Sequence, residues 1–226
     1  MLRRNDLLCL VYSPLGCPLE KFKSPLELVT VLSDAITAHR ALLQDGQILH
    51  RDISDGNIII SEKDRRGILI DLDVAIDLSE EDPDENDLVG TKHCMAIGLL
   101  KGNIDNYRYD LESFLYVLVW TIRDSIAGLS SSRLMRWWKG DFKECAAAKL
   151  EDVTTAGFEL VLAEWTTKFE AVKPLARRLR DVFFRGTTLE SIVFEVDMSK
   201  AATDALYDGV LGAFEESIAS LRLNGM

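Results

Sequence analysis

Three polar residues, Asp52, Asn57 and Asp71, have the types and the spacing for chemistry on a metal-bound substrate. Asp52 and Asn57 lie in one polar segment between the apolar runs Ile48-Leu49 and Ile58-Ile59-Ile60, and Asp71 follows a third apolar run. A strand–turn–strand hairpin from Asn57 to Asp71 would bring both side chains to one side of a cleft. Amide and carboxylate oxygens are ligands that Mg²⁺ prefers, and a positioned carboxylate can accept the proton of a hydroxyl. Side chains of these types, brought together in one cleft, are candidates for binding a cation and for accepting a proton.

The segment around Asp52 resembles the catalytic loop of protein kinases, H-R-D-x-x-x-x-N, because it reads His50-Arg51-Asp52-Ile53-Ser54-Asp55-Gly56-Asn57. Three further segments follow in the kinase order: Gly67-Ile68-Leu69-Ile70-Asp71-Leu72-Asp73, Gly90-Thr91-Lys92-His93-Cys94-Met95-Ala96 and Tyr107-Arg108-Tyr109-Asp110-Leu111-Glu112-Ser113-Phe114. Together they are similar to the fungal-type protein kinase domain family, whose later helices are matched by Trp137-Trp138-Lys139-Gly140-Asp141-Phe142. The resemblance extends across residues 7–186.

The resemblance implies ATP- and Mg²⁺-dependent transfer of a phosphoryl group to a protein Ser, Thr or Tyr hydroxyl. Asp52 is then the expected catalytic base, which orients the acceptor hydroxyl. Asn57 and Asp71 are the expected Mg²⁺ ligands on the ATP phosphates, and they complete the expected catalytic set.

Four supporting residues and an adenine site are implied in the same way. His50 belongs to the loop motif, and Thr91 belongs to the stretch that closes the activation segment. Arg51 is expected to steady that segment, and Asp110 is expected to hold the backbone of the catalytic loop. The hinge strand is expected at the N-terminal apolar run, where adenine would bind to the backbone of Cys9, Leu10, Val11 and Tyr12.

The sequence departs from a whole kinase in its N-terminal part. No G-x-G-x-x-G spacing occurs among the 14 glycines, and the residues before His50 hold no V-A-I-K lysine. The N-terminal lobe of a kinase is therefore expected to be absent, so that the ATP phosphates would lose most of their positioning. Smaller departures are Gly98 where A-P-E ends, Ser54 where many kinases carry Lys, and Asp73 in place of the D-F-G glycine.

Two functions follow from these observations. The first is an ATP- and Mg²⁺-dependent protein kinase, with activity impaired in this chain by the missing glycine loop and lysine. The alternative is a non-catalytic remnant, a truncated kinase or pseudokinase that acts as a binding or scaffold module. A small-molecule phosphotransferase of the aminoglycoside and choline kinase type fits less well, because its loop reads H-G-D and it lacks a counterpart of Gly90-Thr91…Met95-Ala96.

The spacing of apolar residues predicts an α+β fold that is mainly helical with a small β insert, as in the C-terminal lobe of a kinase. Ser24-Pro25-Leu26-Glu27 predicts a capping box at the start of a helix that stops at Gly46. A helix buried on all sides is expected from about Asp110, and an amphipathic helix is expected at the C-terminus. The expected units are a hinge strand at 1–14, the lobe at 15–186 and an extension at 187–226.

The composition restricts the partners and the location. With 26 Lys and Arg against 37 Asp and Glu, the net charge of −11 disfavours binding to nucleic acid or to an anionic membrane. Four separated cysteines without a C-x-x-C pair fit reduced thiols in a cytoplasmic or nuclear protein. The sequence does not specify the protein substrate. A missing lobe would expose an apolar edge near residues 7–12, which predicts self-association.

The acidic run from Asp77 to Asp87 lies in the expected activation segment and accounts for most of the net charge. It is interpreted as a solvated loop, while a sharper hypothesis pairs its carboxylates with Arg51 in place of a phosphate. Among the histidines, His39 is expected to be structural and His93 is expected to lie on the surface.

Overall fold

A computed structural model describes residues 15–79, 88–124, 132–184 and 196–225, and it confirms the predicted α+β fold that is mainly helical. The helices are α1 (Pro25–Gly46), α2 (Ile97–Leu100), α3 (Tyr107–Asp124), α4 (Met135–Trp138), α5 (Phe142–Asp152), α6 (Thr155–Leu162), α7 (Lys173–Phe184) and α8 (Lys200–Leu223). The strands are β1 (Gly16–Pro18), β2 (Ile48–Leu49), β3 (Ile58–Ser61), β4 (Gly67–Leu69) and β5 (Ile76–Asp77). Short 3₁₀ turns occur at Leu19–Lys21, Asp55–Asn57 and Thr167–Val172. Within these residues, no helix combines the length and the apolar character needed to cross a membrane.

Helix α1 begins where the sequence predicts, but its cap differs in one contact. The Ser24 side chain accepts a hydrogen bond from Glu27 N at 3.2 Å, and Pro25 occupies the first turn. The predicted capping box is wrong, because the Glu27 carboxylate accepts from Lys23 N and pairs with Arg65 at 2.7 Å. The pairing with Arg65 connects the start of α1 to the turn between β3 and β4.

Helix α1 ends at Gly46, as the sequence predicts, but Gly46 is not the residue that turns the chain. The helix includes Gly46, and the residue in the left-handed conformation is Gln47, with a φ of 54°. Gln47 N donates to Leu43 O at 3.1 Å, and Gln47 O accepts from Leu78 N at 2.7 Å. The turn therefore closes the helix and opens the two-stranded sheet of β2 and β5.

A three-stranded antiparallel sheet, in the order β1-β3-β4, carries the segment that follows Asp52. Strands β3 and β4 form the predicted hairpin, in which Ile58 lies opposite Leu69. Strand β1, which the sequence pattern does not predict, pairs with the other edge of β3. Because the hairpin is in this register, Asn57 and Asp71 lie at the same end of it.

Helix α3 forms the buried centre of the described part of the chain. It begins at Tyr107, three residues before the predicted start at Asp110. Every residue from Tyr109 to Ile122 is buried, as expected for a helix that is apolar on nearly every face. The polar side chains on this helix must therefore find partners within the protein.

The C-terminal residues form the predicted amphipathic helix. Helix α8 packs against α1 and α7 and places Tyr207, Val210, Phe214 and Leu221 in the core. Helix α1 thus lies between the β3–β4 hairpin on one side and α8 on another.

Gly67 provides a test of the contact between β4 and α1. A Cβ atom at Gly67 would lie 2.1 Å from the Val31 carbonyl oxygen, which belongs to the backbone of α1. We expect Gly67→Ala to lower the free energy of unfolding by about 1–3 kcal/mol, since overpacking forces backbone shifts. Urea unfolding followed by circular dichroism measures the change.

The matched control for this substitution is Gly209→Ala in α8. A Cβ atom at Gly209 would meet nothing within 4 Å. Because glycine costs about 0.5–1 kcal/mol relative to alanine inside a helix, we expect a small gain in stability. Equal effects of the two substitutions would contradict the close approach of β4 to α1.

Candidate active site on the Asp52 loop

One buried carboxylate holds the backbone of the loop that contains Asp52. Asp110, in the first turn of α3, is 3% exposed. Its Oδ2 accepts from the backbone N–H groups of His50, at 3.1 Å, and Arg51, at 3.2 Å. The same oxygen lies 2.9 Å from Nε2 of His39. Three donors offset the cost of burying the carboxylate, so the loop is fixed relative to α3.

Asp52 is held by a hydrogen bond on each of its carboxylate oxygens. Oδ2 accepts from Asn57 Nδ2 at 2.9 Å, and Oδ1 accepts from Thr91 N at 2.8 Å. Gly90 allows this approach, because its φ is 111° and a Cβ there would lie 2.9 Å from the Arg51 carbonyl oxygen. Each carboxylate oxygen keeps a second lone pair, so Asp52 can still accept a hydrogen bond from a substrate hydroxyl.

The orientation of the Asn57 amide follows from its hydrogen bonds. Nδ2 donates to the Asp52 carbonyl oxygen and to Asp52 Oδ2, both at 2.9 Å. With these two acceptors on the nitrogen, the amide oxygen is the atom that can bind a cation. The Asn57 carbonyl accepts from Ile70 N at 2.9 Å, which fixes the chain just before Asp71.

Asp71 lies two residues beyond the end of β4, whereas the sequence places it at the strand end. Its φ is 71°, a left-handed conformation that costs non-glycine residues about 1–3 kcal/mol and is concentrated at functional sites. Its Oδ1 accepts from Asp73 N at 3.2 Å, so the side chain itself closes the turn that replaces D-F-G. The Asp71 carboxylate and the Asn57 amide form a set of oxygen donors that fits Mg²⁺.

His50 connects the loop to the residue before Asp71. Burial lowers the pKa of His50, while the nearby charge of Asp110 acts in the opposite direction. Nε2 lies 3.1 Å from the Ile70 carbonyl oxygen, and Nδ1 accepts from Asp52 N at 3.3 Å. Since a carbonyl only accepts, Nε2 carries the proton and a neutral ring satisfies both contacts.

Arg51 has a buried acidic neighbour that the sequence does not indicate. Its Nε lies 3.5 Å from Asp105 Oδ2, and its Nη1 donates to the Val74 carbonyl oxygen at 3.5 Å. Burial, followed by the charge of Asp110, raises the pKa of Asp105 to about 7. Most of the acidic run that the sequence pairs with Arg51, residues 80–87, lies outside the described residues.

The end of the activation segment is anchored without the A-P-E glutamate. Glu112 of α3 accepts from Ile97 N at 2.8 Å. Lys149 of α5 is fully buried and donates from Nζ to the Met95 carbonyl oxygen at 2.6 Å. Its ammonium also lies 3.5 Å from the centre of the Tyr116 ring, a cation–π contact. Glu112 and Lys149 thus hold the backbone at the end of the activation segment, where A-P-E kinases use a glutamate.

Gly98 has a steric reason for lacking a side chain. A Cβ atom at Gly98 would lie 2.2 Å from the Tyr109 hydroxyl oxygen. That oxygen also accepts from Asn103 Nδ2 at 2.9 Å, so the tyrosine is held in place. A glutamate at this position would displace Tyr109 from the core.

A family model for fungal protein kinases matches residues 2–122, more than half of the chain. The match includes the Asp52 loop, the β3–β4 hairpin, the activation segment and most of α3. The chain belongs to the fungal protein kinase family. No curated protein sequence matches it significantly.

In this member of the fungal protein kinase family, the loop and the activation segment meet at a second point. His93 is buried, so its predicted surface position is wrong. Its Nε2 lies 3.0 Å from Asp55 Oδ1, and its ring packs on Trp120, with centroids 4.2 Å apart. Cys94 Sγ lies 3.6 Å from the same Asp55 oxygen. Burial acts to raise the pKa of Asp55, but the His93 hydrogen bond and the other contacts make the net shift downward.

The adenine site that the family resemblance implies falls outside the described residues, because Cys9, Leu10, Val11 and Tyr12 all lie in the segment 1–14. That part of the interpretation stays a prediction. The same holds for the catalytic roles assigned to Asp52, Asn57 and Asp71, which the structure brings to one end of the hairpin.

Several buried residues that hold the candidate site together are not predicted from the sequence. The burial of Glu112 could have been predicted, because it is a charged residue in the middle of an apolar helix. The burial of Lys149 could have been suspected in the same way, since it follows a run of alanines in α5. No local signal identifies Asp105 as the neighbour of Arg51, because that pairing exists only after α3 has packed against the loop.

Lys149 predicts a characteristic pH dependence of stability. Burial lowers the pKa of Lys149 from 10.5 to about 8. Between these two values the unfolded chain binds more protons than the folded chain, so Lys149 makes stability increase with pH. We expect the stability difference between the unaltered protein and Lys149→Met to rise by about 3 kcal/mol across this range. Urea unfolding at a series of pH values measures the difference.

The comparison needs a control because other groups titrate in the same range. Burial raises the pKa values of Cys94, Cys145 and Tyr116, which act in the opposite direction but are present in both proteins. Lys92→Met is the matched control, since the Lys92 ammonium donates to Gly140 O at an exposed site. Parallel pH curves for the unaltered protein and Lys149→Met would contradict the prediction.

Proposed function

We propose that the chain transfers a phosphoryl group from ATP, with Mg²⁺, to a Ser, Thr or Tyr hydroxyl of a protein. The observation that carries the proposal is the convergence of Asp52, Asn57 and Asp71 at one end of the β3–β4 hairpin. The loop that presents Asp52 and Asn57 is fixed by Asp110. Membership of the fungal protein kinase family supports the same chemistry.

Asp52 is the proposed catalytic base. It would orient the acceptor hydroxyl and take its proton as the hydroxyl oxygen attacks phosphorus. The hydrogen bonds from Asn57 and Thr91 hold its carboxylate in one direction. Since catalysis of phosphoryl transfer depends mainly on positioning, a carboxylate with a fixed direction is the contribution expected of this loop.

The proposed Mg²⁺ ligands are the Asn57 amide oxygen and the Asp71 carboxylate. Their fit rests on the hydrogen bonds, which occupy the Asn57 nitrogen and leave its oxygen available. The bound ion would neutralise charge on the ATP phosphates. The two side chains would hold it beside Asp52.

A protein acceptor is favoured over a small alcohol by the docking of the activation segment on the loop. Thr91 contacts Asp52, and His93 contacts Asp55, so this end of the segment is held beside the proposed base. We propose that the segment helps to bind a peptide that carries the acceptor hydroxyl. The H-R-D sequence of the loop also favours a protein acceptor.

A second candidate function is a non-catalytic binding or scaffold module. The observation in its favour is that these 226 residues contain neither G-x-G-x-x-G nor a V-A-I-K lysine. Those groups position the phosphates of ATP in kinases, so we propose that the transfer rate of this chain is low. The two candidates differ in whether nucleotide binding leads to transfer.

Asp71 predicts the metal dependence of nucleotide binding. The full chain should bind ATP more tightly with Mg²⁺ than with EDTA, as measured by isothermal titration calorimetry. We expect Asp71→Asn to weaken binding in Mg²⁺ about tenfold, which corresponds to about 1.4 kcal/mol, because a charged ligand of the ion is lost. Asp45→Asn, an exposed residue near the end of α1, is the matched control and should leave binding unchanged. ATP binding that does not depend on Mg²⁺ or on Asp71 would contradict the proposed site.

Asp52 predicts a loss of transfer without a loss of binding. We expect Asp52→Asn to lower the rate of phosphate transfer to a degenerate Ser/Thr/Tyr peptide mixture about 10²–10⁴-fold, as typical for removal of a general base. The ATP affinity should stay within about twofold of that of the unaltered chain, because Asp52 faces the acceptor. Radiolabelled ATP measures the transfer. If the unaltered chain binds ATP but transfers no faster than Asp52→Asn, the binding module is the correct function.

A further inference from the structure

Helix α8 lies outside the residues that match the kinase family, yet hydrogen bonds connect it to the catalytic loop. The Tyr207 hydroxyl of α8 lies 2.7 Å from Nδ1 of His39 in α1. The other ring nitrogen of His39, Nε2, lies 2.9 Å from Asp110 Oδ2. That oxygen also accepts from His50 N and Arg51 N. One side chain from each of three helices therefore connects Tyr207 to the loop.

The chemistry of the acceptor sets the direction of these hydrogen bonds. A carboxylate accepts, so His39 donates from Nε2 to Asp110. In the neutral ring, Nδ1 then accepts the proton of the Tyr207 hydroxyl. Tyr207 and His39 are both completely buried, so solvent does not reach either group. The tyrosine hydroxyl thus favours the histidine tautomer that gives Asp110 its third donor.

We propose that Tyr207 is a positioning residue for the catalytic loop and that α8 is part of the support of that loop. Without the hydroxyl, Nδ1 of His39 would be buried without a donor, a costly arrangement. The Nε2 proton would stay directed at Asp110, but the unsatisfied Nδ1 would make the buried pair of His39 and Asp110 less stable and so weaken the support of the loop. The consequence for catalysis rests on the proposed function, whereas the consequence for the loop backbone does not.

Other contacts keep the Tyr207 ring in place when its hydroxyl is removed. Arg40 of α1 pairs with Asp208 at 2.7 Å and with Asp204 at 3.1 Å, which fastens α8 to α1. The Arg40 guanidinium lies 5.6 Å from the centre of the Tyr207 ring, and Tyr107 stacks on the same ring at 6.4 Å. Replacement of Tyr207 by Phe therefore changes mainly the hydrogen bond to His39.

The test compares Tyr207→Phe with Tyr107→Phe in the full chain. Tyr107 is a matched control, because it stacks on Tyr207 but donates its hydroxyl to Asp197 O, at 2.8 Å, outside the path to Asp110. Amide hydrogen exchange measured by NMR at His50 and Arg51 reports the support of the loop without ATP or an acceptor. We expect Tyr207→Phe to accelerate exchange at these two amides about tenfold relative to amides in the middle of α3. Tyr107→Phe should leave that ratio unchanged.

Two results would overturn the inference. The first is equal acceleration of exchange in the loop and in α3, because Tyr207 would then contribute only to global stability. The second is a measurement of the His39 tautomer, which uses the unaltered protein and so does not depend on whether the variant folds. The ¹⁵N chemical shifts of the His39 ring should show a proton on Nε2 and none on Nδ1, and the opposite tautomer would exclude the chain of hydrogen bonds.

A transfer assay separates this inference from the proposed function. In an active chain, we expect Tyr207→Phe to lower kcat severalfold while the KM for ATP stays unchanged, and Tyr107→Phe should alter neither value. An unchanged kcat would overturn the positioning role in catalysis. If the unaltered chain shows no transfer, the proposed function fails, and the exchange measurement still decides the role of Tyr207 in the loop.

Discussion

The geometry of the candidate active site depends on the burial of one negative charge. A carboxylate that is removed from water is costly unless hydrogen-bond donors surround it. Asp110 meets this requirement with three donors on a single oxygen. Two of the donors are backbone N–H groups of His50 and Arg51, so the loop cannot move away without removing two of the three donors from the buried charge. The third donor is His39 of α1, and the packing of that helix is therefore coupled to the position of Asp52.

A second carboxylate on α3, that of Glu112, binds the backbone at the end of the activation segment. Glu112 follows Asp110 by two residues, which is about 200° around a helix of about 3.6 residues per turn, so the two side chains point to opposite sides. Glu112 accepts from Ile97 N and from the Tyr116 hydroxyl, both at 2.8 Å. Helix α3 thus fixes the catalytic loop on one side and the activation segment on the other. The hydrogen bond from Thr91 N to Asp52 joins the activation segment to the loop, and both of these segments are attached to α3.

The sequence predicted those features whose determinants are adjacent in the chain. The start of α1, the β3–β4 hairpin and α8 follow from local capping and periodicity. The loop motif located Asp52 and Asn57, and the segment that follows the hairpin located Asp71. The supports of the site were not predictable in this way. Tyr207 and His39 are 168 residues apart in sequence, so their contact depends on how α8 packs against α1. The absence of a side chain at position 98 was interpreted as a lost acid, although the position of the Tyr109 hydroxyl requires it.

The backbone conformation at Arg51 and Asp71 supports the proposal of a catalytic role. Arg51 and Asp71 have φ values of 70° and 71°, and left-handed backbone costs non-glycine residues about 1–3 kcal/mol each. Specific contacts offset this cost: Arg51 N donates to Asp110, and Asp71 Oδ1 accepts from Asp73 N. A strained backbone that directs Asp71 to the same end of the hairpin as the Asn57 amide is expected where a metal–phosphate group must be held beside a base.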